Sequence, residues 1–296
     1  MKFTMNISLL KTHLLMLLAI ILAASSFPIG SAITKSLPPS VSMFLRFSFA
    51  SLIFFPFIYY NNGFQKQTLT YYIKCAVLSL PLVIFFWSMF ESLRYTSVIN
   101  TGALYTFVPA ITSLFAYIIN KEIIARRKLF GLLLGTIGAL WIVFRGSFDS
   151  FLNLDLNYGD LIFITGCVFL GSYNPLVKKL YDGNSMFTMT FWILLFGSIF
   201  LLILSFSSLF SIYWINIQYS VYYGLIYLAI FTTLVTFYII NYSTVKIGAT
   251  KVSAYGFLTP LFVIIFGIII DFQSFDPIIL PGMILIVLSM IFIQRN

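Results

Sequence analysis

Residues 92–138, SLRYTSVINTGALYTFVPAITSLFAYIINKEIIARRKLFGLLLGTIG, decide how the rest of this chain is read. Two apolar runs flank a basic loop. The first run carries Pro109 at its middle, the loop holds Lys121, Glu122, Arg126, Arg127 and Lys128, and the second run is spaced by Gly131, Gly135 and Gly138. A proline in mid-run predicts a broken or kinked helix. Cations clustered between apolar runs predict a cytoplasmic loop. Glycines recurring at Gly131-x-x-x-Gly135 predict a helix whose backbone comes close to a neighbour's in lipid.

The composition agrees. Of 296 residues, 60% are hydrophobic and 8% charged, and the mean hydropathy is +1.02, outside what a soluble domain of this length carries. Ten segments are long and apolar enough to cross a bilayer, at 12–34, 39–60, 71–93, 98–120, 128–144, 159–180, 186–210, 219–242, 249–270 and 277–293. The fold class is therefore an all-α polytopic membrane protein. The apolar run after Lys11 resembles a signal peptide in part, but it continues through Pro28 to Ile33 and is read as the first span.

A net charge of +9 would suggest nucleic acid in a soluble protein; here the bases lie between spans and set orientation. With the amino terminus in the cytoplasm, Lys2, Lys11, Lys66, Lys74, Lys121, Arg126, Arg127, Lys128, Lys178, Lys179, Lys246, Lys251 and Arg295 fall inside, against Lys35, Arg94 and Arg145 outside. Both termini are expected in the cytoplasm and the chain in the cell's inner membrane. Cys75, Cys167 and the single His13 lie in apolar runs, so neither a disulfide framework nor a metal site is expected. No Walker loop, HExxH or GxSxG stands in the sequence, and neither a catalytic centre nor a cofactor is expected.

The chain also repeats itself. A slide of 151 residues sets Pro109 on Pro260, Ala103 on Ala254, Ser92 on Ser243, Gly131 on Gly282 and Glu122 on Gln273. Earlier, Phe27-Pro28 falls on Asn174-Pro175. Each half then holds five spans, and an odd number inserts the second half inverted relative to the first. The expected division is 1–145, an outer linker at 146–158, and 159–296.

Residues 92–144 resemble the conserved block of the EamA type of the drug/metabolite transporter superfamily, through Leu93, Tyr95, Pro109, Glu122, Gly131 and Gly138; Ser243, Pro260 and Gly282 look like its weaker echo. Lys35, and Arg46 in LRFSFASL, also look like the family pattern. The resemblance implies an alternating-access carrier for a small polar metabolite, with export of an amino acid or related compound as first reading. An obligate exchanger of anionic or nucleotide-linked metabolites, with Arg46 and Lys35 essential, is the alternative; a membrane protein that transports nothing is the third. Gln273, where a second Glu is expected, departs from the pattern, and so does Glu91 at a place usually apolar.

Arg46 and Glu91 are the base and acid that the spans place within the membrane, where such groups need a partner or water. They read either as an ion pair, with Arg94 competing for Glu91, or as a substrate-carboxylate anchor and a proton or cation carrier. Pro28, Pro109, Pro175 and Pro260 are expected as hinges. Trp87, Tyr105, Tyr173, Asn174, Tyr238, Asn241 and Tyr255 join Arg46 and Glu91 as candidate lining of a substrate cavity drawn from spans 1, 3, 4, 6, 8 and 9. Gly131, Gly135, Gly138 and Gly282 are read as packing positions, within the monomer in preference to a homodimer. The expected partners are the lipid bilayer and a small-molecule substrate, with no nucleic acid.

Overall fold

A computed structural model describes residues 7–62, 66–96, 98–152, 156–271 and 277–294. Lys2, Asp155, Gln273, Asp276 and Arg295 lie outside them, so the departure at Gln273 has no structural counterpart here. Among the described residues the regular elements are all helices: α1 Ile7–Ile33, α2 Pro39–Asn62, α3 Leu69–Ser92, α4 Val98–Tyr105, α5 Val108–Asn120, α6 Arg126–Val143, the short α7 Phe148–Leu152, α8 Tyr158–Leu180, α9 Met186–Phe210, α10 Tyr219–Ala229, α11 Thr236–Ile247, α12 Ala249–Ala254, α13 Thr259–Asp271 and α14 Leu280–Gln294.

Eight helical stretches among them are long and apolar enough to span a bilayer. The other two crossings are less evident for physical reasons. The fourth is interrupted between α4 and α5, and the fifth, α6, opens on Arg126, Arg127 and Lys128, which end its apolar run. Together they make the ten-span bundle of two inverted five-helix repeats.

The packing carries the approximate twofold that an inverted repeat demands. Equivalent spans pair with each other, α2 with α9 and α6 with α14. Unlike pairs come in mates: α8 lies on α3 and on α5, as α1 lies on α10, α11 and α13. Most of the buried side chains form one continuous core between the halves, from Phe27 and Phe47 through Phe86 and Phe163 to Leu194 and Phe237.

The glycine seam predicted on α6 is filled by α14. Backbone meets backbone there: a β-carbon on Gly138 would stand 2.8 Å from the Gly282 carbonyl oxygen, and one on Gly282 would stand 2.6 Å from the Gly138 carbonyl oxygen. Ser289 Oγ donates to the Gly131 carbonyl at 2.7 Å along the same seam. The contact that the GxxxG permits is thus made inside the monomer.

Two helix ends tie the halves together. Asn157 and Asp160 form a reciprocal capping box at the start of α8, where the carboxylate also meets the positive end of the helix dipole. Asp160 is fully buried and accepts from Thr96 Oγ1 at 2.6 Å and Asn100 Nδ2 at 3.4 Å, both in the first half. At and just beyond the other end of α8, Lys178 Nζ donates to Glu122 Oε1 at 2.7 Å and Lys74 pairs with Asp182 at 3.3 Å. Glu122 follows Lys121, whose left-handed backbone (φ 56°) ends α5 and turns the chain toward this contact.

Candidate functional site

Two of the four hinge prolines sit at real breaks in the helices. α4 ends at Tyr105, residues 106 and 107 turn, and α5 restarts with Pro109 in its first turn, where no helical hydrogen bond is asked of it. In the second half α12 ends at Ala254, a tighter 3-10 turn runs over Tyr255–Leu258, and α13 restarts with Pro260 as its second residue. The breaks face each other: a β-carbon on Gly256 would lie 3.4 Å from Tyr105 Cε1 and 3.7 Å from Pro109 Cγ. Tyr105 and Gly256 are equivalents under the 151-residue repeat, so the approximate twofold passes close to their contact. α1 and α8, by contrast, continue through Pro28 and Pro175, and Pro28 is exposed. Each removes one backbone hydrogen bond inside its helix without ending it.

A third irregularity comes from span 8, where Ile230–Val235 between α10 and α11 winds as a π-helix. Such single turns widen the helix and loosen the grip of its carbonyls. Beside the three breaks lies a partly open cavity. Its walls are apolar: Met16 and Phe27 from α1, Leu82, Phe85 and Phe86 from α3, and Phe237 from α11 are typical. Ser26, Tyr105, Asn174, Thr232, Thr236 and Ser253 add polar atoms, and Arg46 of α2 adds the charge.

Arg46 is fully buried. Its Nε donates to Thr233 Oγ1 at 2.5 Å, and its Nη2 donates to the Thr232 carbonyl at 3.1 Å and to Thr232 Oγ1 at 2.8 Å, all on the π-turn. The guanidinium carbon stands 4.4 Å from the centre of the Phe86 ring, a cation–π contact in a desolvated place. Among the described residues Nη1 has no hydrogen-bond partner. Thr232 and Thr233 therefore hold the Arg46 guanidinium through neutral oxygens where an ion-pair partner was expected, and sequence reading missed both. Two adjacent threonines inside the apolar run 225–240 were the available signal, whereas Phe86 is one of 34 phenylalanines and carried none.

The ion pair between Arg46 and Glu91 is not formed. Glu91, near the end of α3, pairs with Arg94 one turn on, at 3.3 Å. The physical reason is distance along the chain: an i,i+3 partner is reached without crossing the bundle. Of the remaining candidates, Tyr105, Tyr173 and Asn174 line the cavity with Arg46. Asn241 stands behind the wall, buried, accepting from the Tyr173 hydroxyl at 2.7 Å and donating to Thr190 Oγ1 at 3.1 Å, so it fixes the tyrosine in place. Tyr255 is buried off the wall and hydrogen-bonded to His13 Nδ1 at 2.5 Å. Tyr238 is stacked on Phe187, and Trp87 is half-buried on α3; neither reaches the lining. Among the described residues no cluster of His, Cys, Asp or Glu is arranged to hold a metal ion.

Two interlocked helical halves, mated by an approximate twofold around a central cavity at opposed helix breaks, define a polytopic membrane transporter. The chain belongs to the EamA-like transporter family, whose model matches residues 10–144 and again 157–295. It is similar to the uncharacterized transporter YyaM of Bacillus subtilis (strain 168), at 25% identity over 95% of this chain and 93% of that protein. An uncharacterized transporter of Archaeoglobus fulgidus is 27% identical over 87% of this chain and 88% of its own. A protein solved by crystallography overlays with a TM-score of 0.75 at 14% identity, covering 95% of this chain and 96% of that one, a likeness of fold.

Proposed function

We propose that this protein is a secondary carrier that moves a small polar metabolite across the cell's inner membrane by alternating access, with the cavity beside Tyr105 and Gly256 as its binding site. The single observation that carries the reading is the pair of opposed breaks at Pro109 and Pro260. Each is a place where a helix can bend without losing hydrogen bonds it already lacks, and the two lie at equivalent positions of inverted halves, as rocking around a central site requires. The halves that rock are residues 1–145 and 159–296. The excess of Lys and Arg on alternate loops supports cytoplasmic termini. That places the contacts of Glu122 with Lys178 and of Lys74 with Asp182 at the cytoplasmic end, where their opening would release the cavity inward. Export of a compound of amino-acid size is the direction that the family resemblance favours.

The test is flux. Purified protein in liposomes, offered a panel of labelled metabolites of that size, is expected to move at least one of them down its gradient, saturably and without ATP. A panel that yields neither saturable flux nor counterflow would overturn the carrier reading.

A further inference from the structure

Arg46 raises a question of charge. The described ion pairs join Lys74 with Asp182, Arg94 with Glu91 and Lys178 with Glu122; none involves Arg46. Its acceptors are two hydroxyls and one carbonyl, all neutral, and each already takes part in the π-turn's own bonds or lies beside them. Thr232 Oγ1 donates to the Leu228 carbonyl at 3.0 Å, and Thr236 Oγ1 donates to the Thr232 carbonyl at 2.7 Å. These dipoles orient the guanidinium but leave its unit charge uncancelled, in a setting where an uncancelled charge is expensive.

Two buried polar atoms on the cavity residues lack partners, Arg46 Nη1 and Asn174 Oδ1. One is a charged donor, the other an amide atom. No Asp or Glu is among the lining residues.

We infer that the cavity takes a small monocarboxylate of net charge −1, whose carboxylate meets Arg46 and supplies its missing counter-charge, with a hydroxyl or amide group for Asn174 and an apolar body against Phe85, Phe86 and Phe237. The inference rests on the carrier reading and narrows it. A zwitterionic amino acid brings a carboxylate for Arg46 but also an ammonium, for which the lining offers no carboxylate. A phosphate dianion brings one charge more than a single guanidinium cancels. A neutral amide brings none. The monoanion alone leaves the loaded cavity neutral, and charge-assisted bonds to a guanidinium are the strong ones.

The experiment compares matched triplets on one carbon skeleton by thermal shift of the purified protein: L-leucine, 2-hydroxy-4-methylpentanoate and the amide of that hydroxy acid, with the corresponding sets built on valine and phenylalanine. The hydroxy acid of at least one set is expected to stabilise at a concentration tenfold or more below its amino acid and its amide. Arg46→Lys, which keeps the charge but loses the planar fork, is expected to shrink that preference, and Arg46→Gln to abolish it. The wild-type comparison decides the matter without either variant. Equal or better stabilisation by the amino acid or the amide would overturn the inference, as would stabilisation by no member of any set or a preference that survives in Arg46→Gln. Saturable liposome flux of an amino acid or a cation would overturn it too while leaving the carrier reading intact.

Discussion

Replacing Gly138 by leucine is expected to destroy the α6–α14 seam and with it the stable protein. The position has no room: the first carbon added would lie 2.8 Å from the Gly282 carbonyl oxygen, 2.8 Å from Leu285 Cβ and 3.1 Å from the Ile286 amide nitrogen. Two of those neighbours are backbone atoms, which cannot swing aside as a side chain would. Relief therefore requires the helices to separate, opening the contacts of Ile142, Ile279 and Ile286 that make up this satellite core. Overpacking of this kind costs about 3 kcal/mol, or roughly 10 °C in melting midpoint for a chain of this size. Gly102→Ala is the internal control, because its added carbon would meet nothing nearer than Val143 at 4.0 Å. Thermal unfolding of the purified proteins in detergent, read alongside their gel-filtration profiles, measures both. A Gly138→Leu protein that melts with the wild type would show that the seam does not bear on stability.

Arg46→Met is expected to do the opposite, sparing the fold and abolishing function. Methionine has about the length of the arginine stem and fills the same space without the charge. Removing a buried charge that no opposite charge cancels relieves its desolvation cost. The vacated oxygens are partly provided for: Thr232 Oγ1 keeps its bond to Leu228 and the Thr232 carbonyl keeps Thr236, leaving Thr233 Oγ1 to find a new partner. The substrate loses more. Removing one partner of a buried, hydrogen-bonded charge pair costs about 3–5 kcal/mol, which is on the order of a hundredfold to several thousandfold in binding. Liposome flux is therefore expected to fall at least about a hundredfold while the melting midpoint stays level or rises. A midpoint that falls in step with flux would make Arg46 a structural residue.

How much of this was legible in the sequence depended on whether the signal was local or required knowledge of contacts. The fold was legible because lipid imposes it: apolar runs of the right length, bases on alternate loops, and a proline and a glycine that recur under one slide of the chain. Pro109 and Pro260 were found by that slide, and the structure sets a helix break at each. The glycines at 131, 135 and 138 announced a close neighbour, though not that Gly282 and Ser289 of α14 would be facing them.

The site was half legible. Arg46 declared itself as a base within a span, but its partners are neutral oxygens on a turn whose π-winding has no sequence signature, and charge logic pointed instead to Glu91. Glu91 was reached first by Arg94, three residues away. Tyr173 and Asn241 were separate candidates that turned out to be one unit, a lining side chain and its support. Tyr238 and Trp87 were drawn in by being aromatic, and in a chain that is 19% aromatic that property does not separate lining from packing.

In an alternating-access carrier one cavity between two halves is reached in turn from either side of the membrane, and cysteine accessibility reads this out. Ser253, on the cavity wall beside Gly256, is replaced by cysteine after Cys75 and Cys167 have been changed to alanine. Right-side-out and inside-out vesicles are then exposed to a membrane-impermeant maleimide, with Ser289→Cys in the closed α6–α14 seam as the silent control. Ser253→Cys is expected to be labelled from both faces, and a transported substrate to slow the labelling. Labelling from one face alone, or from neither, would contradict alternating access.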